Sequence, residues 1–209
     1  MNSHSRPVLP QPAGPGTALL SVAGSLDDAV AAGHAGATMI EVGHGGPTLI
    51  AAIRAWLPDV VISGDHESAD LVSDPRLALR SGASLLCTGV TAAENARSSG
   101  ITPDRILVTV PMTHLDRTLR AGWSTLTDVD AGAAGLGAAG AGALAAACCW
   151  LGGTAVRTRH VAEVRSSLEA AEAALGRPRP AWNVRRVIGR AIGLAGRTGS
   201  RGQRKDRSL

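Results

Sequence analysis

Short apolar runs alternate along this chain with longer stretches in which apolar residues recur every three or four positions. The runs predict seven β-strands, at residues 18–23, 38–42, 60–63, 84–87, 106–110, 124–127 and 154–157. The stretches between them predict helices at residues 26–35, 47–57, 69–80, 91–99, 114–120, 135–151 and 161–175. Most of these helices begin at Ser, Thr, Asp or Pro and end at Gly, which are the usual helix start and stop signals.

The order of these elements predicts an α/β fold with a parallel sheet. The strands are apolar without strict alternation, and each is followed by a helix, which favours either a closed barrel or an open doubly wound sheet. Similar Gly-containing turns recur at residues 35–38, 81–84 and 151–154, each between a helix and the next strand. This repetition favours a (β/α) TIM-type barrel.

The predicted barrel is shortened, because seven strands are one fewer than the usual eight. Between Cys87 and Gly100 the pattern allows only one short helix. With one strand fewer, either the barrel is open or the strands that flank the gap pair directly. An exposed strand edge would favour dimerisation or would be covered by the C-terminal segment.

Composition divides the chain into three parts. Residues 1–16 hold four Pro and no apolar core, and are predicted to be a disordered leader. Residues 17–176 form the predicted barrel, whose core must be aliphatic because the chain has no Phe or Tyr. Residues 177–209 hold ten basic residues and one acidic residue, a net charge of +9, which leaves residues 1–176 at −5.

The basic C-terminal extension contains a predicted amphipathic helix at residues 181–195. Its apolar residues, among them Trp182, Val187 and Ile188, share one face, and Arg185 and Arg186 lie elsewhere. One interpretation is a helix docked on the acidic barrel. The alternative is contact with an anionic membrane or with nucleic acid.

The cysteines and the apolar stretches indicate a cytoplasmic protein. Three Cys, two of them adjacent at Cys148 and Cys149, fit neither a disulfide framework nor a paired metal-ligand spacing. The apolar stretch 131–153 is rich in Ala and Gly, and is expected to form a buried amphipathic helix rather than a membrane span.

Polar residues follow most of the predicted strands, and in a barrel they would gather at one end. They are Ser21, Glu41 with His44, Asp65 with His66, Thr88, Thr109, Asp128 with Asp130, and Arg157 with Arg159 and His160. Carboxylates accept paired N–H bonds and guanidinium groups match phosphate oxygens, so this set could bind an amino-type heterocycle that carries a phosphate.

Two other interpretations of these polar residues stay open. Asp128 and Asp130 could simply cap a helix N-terminus. A metal site formed by Glu41, His44, Asp65 and His66 is conceivable, although the sequence lacks a compact ligand spacing such as two His one turn apart.

The order of several segments in residues 17–176 resembles the dihydropteroate synthases, the pterin-binding barrels of folate biosynthesis. Residues 18–22 resemble that family's Ile-Leu-Asn-Val strand, and residues 36–43 its Gly-Ala-Asp-Ile-Ile-Asp-Val-Gly segment. Residues 61–65 are similar to its Ile-Ser-Val-Asp strand. Residues 156–164 resemble its terminal Val-Arg-Val-His-Asp-Val strand and the helix that follows.

This resemblance implies a transferase that condenses a pterin methyl diphosphate with 4-aminobenzoate and uses magnesium. By the same resemblance, Asp65 would hold the pterin, and Arg157, with Arg159 or His160, would hold an anionic group. Ser21 stands where the family has an Asn that helps to hold magnesium and diphosphate. Thr88 and Thr109 stand at or beside later pterin-binding positions. No catalytic residue is assigned.

The chain also departs from the family pattern. Asp128-Val129-Asp130 occupies the place of a Ser-Arg-Lys segment, which inverts the charge, and residues 43–46 replace a Gly-Glu-Ser-Thr loop. Between Cys87 and Gly100, where the family has a further strand, this chain has only one short helix, so the missing strand is expected there. Two functions therefore remain open. One is the transferase reaction, and the other is a catalytically degenerate barrel that serves as a binding or interaction module, as a homodimer or paired with a full-length relative.

Overall fold

The computed structural model describes residues 16–43 and 46–176. The predicted basic tail, His44, and all of the predicted leader except Gly16 lie outside these residues.

The described residues form a closed barrel of eight parallel strands arranged in chain order. The strands are Ala18–Ala23 (β1), Met39–Val42 (β2), Val61–Ser63 (β3), Leu71–Val72 (β4), Ser84–Thr88 (β5), Ile106–Thr109 (β6), Ser124–Asp128 (β7) and Ala155–Arg157 (β8). The barrel closes where β8 pairs with β1, with Leu20 beside Arg157.

Helices on the outside connect the strands. They are Leu26–His34 (α1), Pro47–Trp56 (α2), Pro75–Ser81 (α3), Val90–Ser98 (α4), Leu115–Arg120 (α5), Val129–Gly132 (α6), Gly137–Leu151 (α7) and Val161–Ala174 (α8). Short 3₁₀ turns occupy Pro103–Arg105 and Met112–His114. Ser25, Asp74 and Asp128 cap helices by accepting a backbone N–H two or three residues on, as expected for N-cap residues.

The predicted TIM-type barrel is confirmed, but the predicted count of seven strands is wrong. The missed strand is β4, which lies inside the stretch predicted as one helix over residues 69–80. It pairs one residue with β3 and two with β5, so it is too short to show a strand pattern. The helix begins only at Pro75, because Asp74 caps it and proline is tolerated in a first helical turn.

The expected gap between Cys87 and Gly100 is therefore absent. β5 pairs directly with β6 through four residue pairs, from Leu85 beside Ile106 to Thr88 beside Thr109. Of the two alternatives, direct pairing of the flanking strands is confirmed; the described strands present no open edge, so the condition under which dimerisation through an edge was expected is not met.

The core has two aliphatic layers on opposite faces of the strands, since successive side chains of a strand point to opposite sides. One layer fills the barrel interior and consists of Leu20, Met39, Val61, Leu71, Leu126 and Ala155. The other packs between strands and helices and includes Leu19, Ile40, Ile62, Leu85, Val108, Val156, Ile50, Ile53 and Leu168. Small Ala and Gly residues on the helices let this outer layer close without Phe or Tyr.

α7 differs from the predicted buried amphipathic helix. It has no charged residue and is apolar on all sides, and part of it faces solvent, including Trp150 and Leu151. None of the described helices is both long enough and apolar enough to cross a membrane.

A substitution in the turn between α1 and β2 tests this fold. Gly36 has a φ of +102°, and a Cβ added there would lie 2.9 Å from Cγ of Arg165, whose side chain is buried. Gly36→Ala should therefore lower the free energy of unfolding by about 1–3 kcal/mol, through backbone strain and displacement of Arg165. Urea unfolding measures this.

The matched control is Gly24→Ala, because Gly24 lacks a left-handed φ and an added Cβ would meet nothing closer than 3.7 Å. The control should change stability by less than about 0.5 kcal/mol. Equal effects of the two substitutions would contradict the packing around Gly36.

Candidate functional site

The carboxyl ends of the strands form one open end of the barrel, which we call the mouth. Its rim carries the polar residues that follow the strands, and the apolar interior layer closes the barrel beneath them. This arrangement places ligand-binding chemistry at the mouth, as in other barrels of this type.

An ion pair between two strands dominates the mouth. Nη2 of Arg157, at the end of β8, lies 3.3 Å from Oε1 of Glu41 on β2. The two strands are separated by β1, so the pair passes over the end of β1, where Val22 is half exposed. Arg157 is therefore already engaged with a carboxylate, and an anionic ligand would have to compete for it.

The second carboxylate oxygen of Glu41 has no such partner. Oε2 is buried and accepts no hydrogen bond from the described residues. A buried carboxylate oxygen without a donor is unfavourable, because it has lost water without replacement. Glu41 therefore offers an acceptor that a ligand N–H could satisfy.

Asp130 organises the loop that follows β8. Its Oδ1 accepts a hydrogen bond from Oγ1 of Thr158 at 2.6 Å, and its Oδ2 accepts one from the backbone N–H of Arg159 at 2.8 Å. The Arg159 side chain is mostly exposed, with Nε 3.7 Å from Oδ2 of Asp130. Asp130 thus fixes the backbone beside Arg157.

Asp128 has the capping role that the sequence left open. Its Oδ1 accepts the backbone N–H of Ala131 at the start of α6. Its Cα is paired with that of Arg157 across β7 and β8. The two acidic residues therefore stand beside Arg157, and each also stabilises local backbone.

These residues line a cleft with a volume of about 260 Å³. The lining residues are Val22, Asp128, Asp130, Arg157, Thr158 and Arg159, from the ends of β1, β7 and β8. The structure therefore brings together two of the predicted site residues, Arg157 and Arg159, with the acidic pair. Val22 and Thr158 were missed, Val22 because only the register of β1 shows that its side chain faces the mouth.

The other predicted site residues do not line this cleft. Asp65 follows β3, is exposed, and accepts a hydrogen bond from Oγ of Ser73 beyond β4. Thr88 and Thr109 end the neighbouring strands β5 and β6, and their Cα atoms are paired. Asp65 and Thr88 therefore lie across the barrel from the cleft, whereas Thr109 ends the strand that pairs with β7.

His160 and His66 have local partners. The backbone N–H of His160, just before α8, donates to Oγ1 of Thr158 at 2.9 Å. Nδ1 of His66 lies 2.8 Å from Oγ of Ser68 within the same loop. Both contacts organise loops at the mouth.

Ser21 is not at the mouth. Its neighbours Leu19 and Ala23 belong to the layer between strands and helices, so the alternation of β1 turns Ser21 to that side as well. The side chain that β1 directs to the mouth is Val22, which has no oxygen. Ser21 is therefore directed away from the mouth, where its predicted contacts with magnesium and diphosphate would have to be made.

The donor set does not fit the magnesium site that the resemblance implied. No group of three or more His, Cys, Asp or Glu side chains within residues 16–43 and 46–176 is arranged to hold a metal ion. His44, one member of the alternative metal set with Glu41, Asp65 and His66, lies outside these residues. Glu41 has an arginine as its ionic partner instead.

The cysteines do not serve as exposed nucleophiles. Cys87, Cys148 and Cys149 are buried, and none of the three is in a disulfide. Burial raises the pKa of Cys87, and it raises the pKa of Cys148 to about 11. These two thiols therefore stay protonated near neutral pH, and a protonated thiol is a poor nucleophile.

Comparison with known proteins places this geometry in a known fold. No protein-family model matches the sequence, and no curated protein matches it. Among solved structures, Mycobacterium tuberculosis Rv1207 aligns with a TM-score of 0.64 and 23% identity, over 79% of this chain and 95% of that one. Yersinia pestis dihydropteroate synthase aligns with a TM-score of 0.63 and 15% identity, over 77% and 93%.

The dihydropteroate synthase of Xanthomonas albilineans, solved with 7,8-dihydropteroate, aligns with a TM-score of 0.64 and 14% identity, over 78% of this chain and 94% of that one. This chain has the fold of the dihydropteroate synthases. The fold expected from the sequence resemblance is therefore confirmed, and activity is a separate question at these identities.

Asp130 allows the geometry of the cleft to be tested. Asp130→Ala removes the acceptor for Thr158 and for the Arg159 N–H, and should lower the free energy of unfolding by about 1–3 kcal/mol. Asp104→Ala is the control, because Asp104 is an exposed residue of a 3₁₀ turn at the opposite end of the barrel.

Chemical denaturation of both variants measures the difference. The control should stay within about 0.5 kcal/mol of the unsubstituted protein. An Asp130→Ala variant as stable as the control would show that this carboxylate does not hold the loop after β8.

Proposed function

We propose that this chain is a divergent barrel of the dihydropteroate synthase type that binds an uncharged, pterin-like heterocycle at its mouth and does not carry out the transferase reaction. The observation that carries the proposal is the Glu41–Arg157 pair, in which the arginine is neutralised and the second carboxylate oxygen is buried without a hydrogen-bond donor.

The hydrogen-bonding character of the mouth supports a heterocycle with N–H groups. An aminopyrimidinone edge, as in a pterin, presents adjacent N–H donors, and a carboxylate is the side chain that best accepts them. Glu41 has a buried acceptor oxygen without a donor, and Asp65 is exposed at the other side of the mouth. Both would gain hydrogen bonds from such a ligand.

The charge of the mouth opposes a diphosphate. The site residues include four carboxylates, those of Glu41, Asp65, Asp128 and Asp130, against the guanidinium groups of Arg157 and Arg159. Two unit charges at 4 Å interact by about 4 kcal/mol at the effective dielectric of a protein surface, so repulsion from Asp128 or Asp130 would offset much of the attraction of Arg157. A ligand without charge avoids this cost.

The transferase reaction is the second candidate function. The observation that favours it is Arg157 at the end of β8, where a barrel commonly binds anionic groups. In that case a pterin methyl diphosphate would displace Glu41 from Arg157, condense with 4-aminobenzoate and release diphosphate.

Calorimetric titration of Glu41→Gln tests the proposal, because the substitution should change the affinities for the two pterin forms in opposite directions. This variant removes the negative charge beside Arg157 and weakens the acceptor. We expect the binding of a 7,8-dihydropterin without diphosphate to weaken about tenfold, and the binding of the diphosphate form to strengthen, because Arg157 is released.

Glu94→Gln is the matched control, since Glu94 is a partly exposed residue of α4 that pairs with Arg97. It should change neither titration. Dihydropteroate formation from the diphosphate, magnesium and 4-aminobenzoate is measured in parallel, and none is expected.

Two results would overturn the proposal. Formation of dihydropteroate that Arg157→Ala abolishes would establish the transferase. Failure of the unsubstituted protein to bind either pterin at millimolar concentration would exclude a pterin-like ligand.

A further inference from the structure

The described chain ends at the end of the barrel opposite the mouth, which we call the base. The outer helices start after the carboxyl ends of the strands and lead back toward the start of the next strand, so their last residues lie near the base. A contact shows this for α8: the backbone N–H of Thr17, just before β1, donates to Oε1 of Glu172 at 3.0 Å. The chain beyond Gly176 therefore leaves the barrel at the base.

The base carries exposed apolar side chains. Trp56, the last residue of α2, is 68% exposed, and Leu79, two residues before the end of α3, is 47% exposed. Arg80, beside Leu79, is exposed as well. Tryptophan and basic side chains are typical of protein surfaces that touch the headgroup region of a membrane. Isolated exposed apolar residues are common on any surface, so the assignment depends on charge and on the segment beyond Gly176.

Charge divides the barrel between its two ends. Ten carboxylates follow strands or lie in the first turns of helices, at the mouth end, and three arginines accompany them. The carboxylates are those of Asp27, Asp28, Glu41, Asp65, Glu67, Asp74, Asp116, Asp128, Asp130 and Glu163, and the arginines are Arg76, Arg157 and Arg159. The described loops that lead from a helix to the next strand, at the base, hold two carboxylates, Asp59 and Asp104. A negatively charged surface would therefore repel the mouth and favour approach of the base.

Residues 181–195, which lie outside the described residues, have the sequence of an amphipathic helix. With 3.6 residues per turn, eight apolar residues would occupy a continuous arc of about 160°. They are Ala181, Val184, Val187, Ile188, Ala191, Ile192, Leu194 and Ala195. Three arginines, Arg185, Arg186 and Arg190, fall on the remaining arc. An apolar face with arginines on the other side is the pattern of a helix that lies in the plane of a membrane surface.

We propose that the base of the barrel and residues 181–195 together bind an anionic phospholipid surface, with the mouth directed away from it. The apolar arc would enter the boundary between headgroups and acyl chains, and the arginines would pair with lipid phosphates. Trp56 and Leu79 would reach the same boundary, and the net charge of +9 on residues 177–209 would supply attraction from a distance. The outer faces of the helices, that of α7 included, remain available to a second copy of the chain. This contact is independent of the ligand at the mouth.

The aliphatic arc favours a bilayer over a nucleic acid as the partner. Proteins bind nucleic-acid phosphates through basic side chains and stack bases on aromatic rings. Neither contact uses Val187, Ile188 or Ile192, whereas insertion into a bilayer removes all three from water. An apolar face combined with a basic cluster is also what stable attachment to a membrane surface requires.

Co-sedimentation of the full chain with vesicles tests this contact. Binding to vesicles of phosphatidylcholine mixed with phosphatidylserine should be at least about tenfold tighter than binding to phosphatidylcholine alone, and should weaken with salt. Ile188→Asp places a carboxylate within the apolar arc and should weaken binding by at least about fiftyfold. Asn183→Asp adds the same charge outside the arc and should weaken binding by no more than about fivefold.

A matched pair of substitutions in α2 tests the orientation. Trp56→Glu places a carboxylate at the base, and Thr48→Glu places one on an exposed residue at the mouth end of the same helix. The first should weaken vesicle binding by about tenfold and the second by less than about twofold, because only the base approaches the lipid. Circular dichroism of both variants checks that the barrel stays folded.

Three results would overturn the proposal. Equal binding to the two kinds of vesicle, or binding to neither, would exclude an anionic membrane as the partner. Equal effects of Trp56→Glu and Thr48→Glu would exclude the orientation. Unchanged vesicle binding by Ile188→Asp would exclude insertion of the apolar arc, and tight binding of an RNA oligonucleotide by that variant would assign the basic segment to nucleic acid.

Discussion

The parallel pairing of β8 with β1 is the contact on which the mouth depends. It sets Leu20 beside Arg157, and it brings the end of β8 within one strand of β2. Only through this closure can Arg157 reach Glu41, a residue 116 positions earlier in the chain. The ion pair is therefore a product of the barrel as a whole, because no local segment contains both of its members.

Closure also explains how the acidic residues after β7 can coexist with the arginine. Asp128 and Asp130 are both tied to backbone N–H groups, so part of their charge is used to stabilise the start of α6 and the loop after β8. Hydrogen bonds to backbone amides satisfy a carboxylate without a cation. The mouth can consequently hold more carboxylates than guanidinium groups without leaving the acidic pair unsatisfied.

Much of the fold could be predicted from the sequence, and the site could be predicted less well. The seven longer strands and the helices between them carry strong apolar patterns, whereas Leu71 and Val72 are too few to form one. Arg157 could be predicted because it ends an apolar strand directly before a helix. The side of β1 that faces the barrel interior could not be predicted. Leu19, Leu20 and Val22 are all apolar, so the pattern does not distinguish the two sides of the strand. Only the three-dimensional register shows that Val22, and not Ser21, faces the mouth.

The shortness of β4 has a mechanical consequence. β3 and β4 share a single residue pair, Ser63 with Leu71, so this is the weakest seam in the ring of strands. The hydrogen bond between Asp65 and Ser73 joins the residues that follow β3 and β4, and so connects the two sides of this seam at the mouth. A ligand that contacts both sides of the mouth would hold β3 and β4 together. Part of its binding free energy would then stabilise the barrel against local opening, and fluctuations at β4 would be smaller when the mouth is occupied.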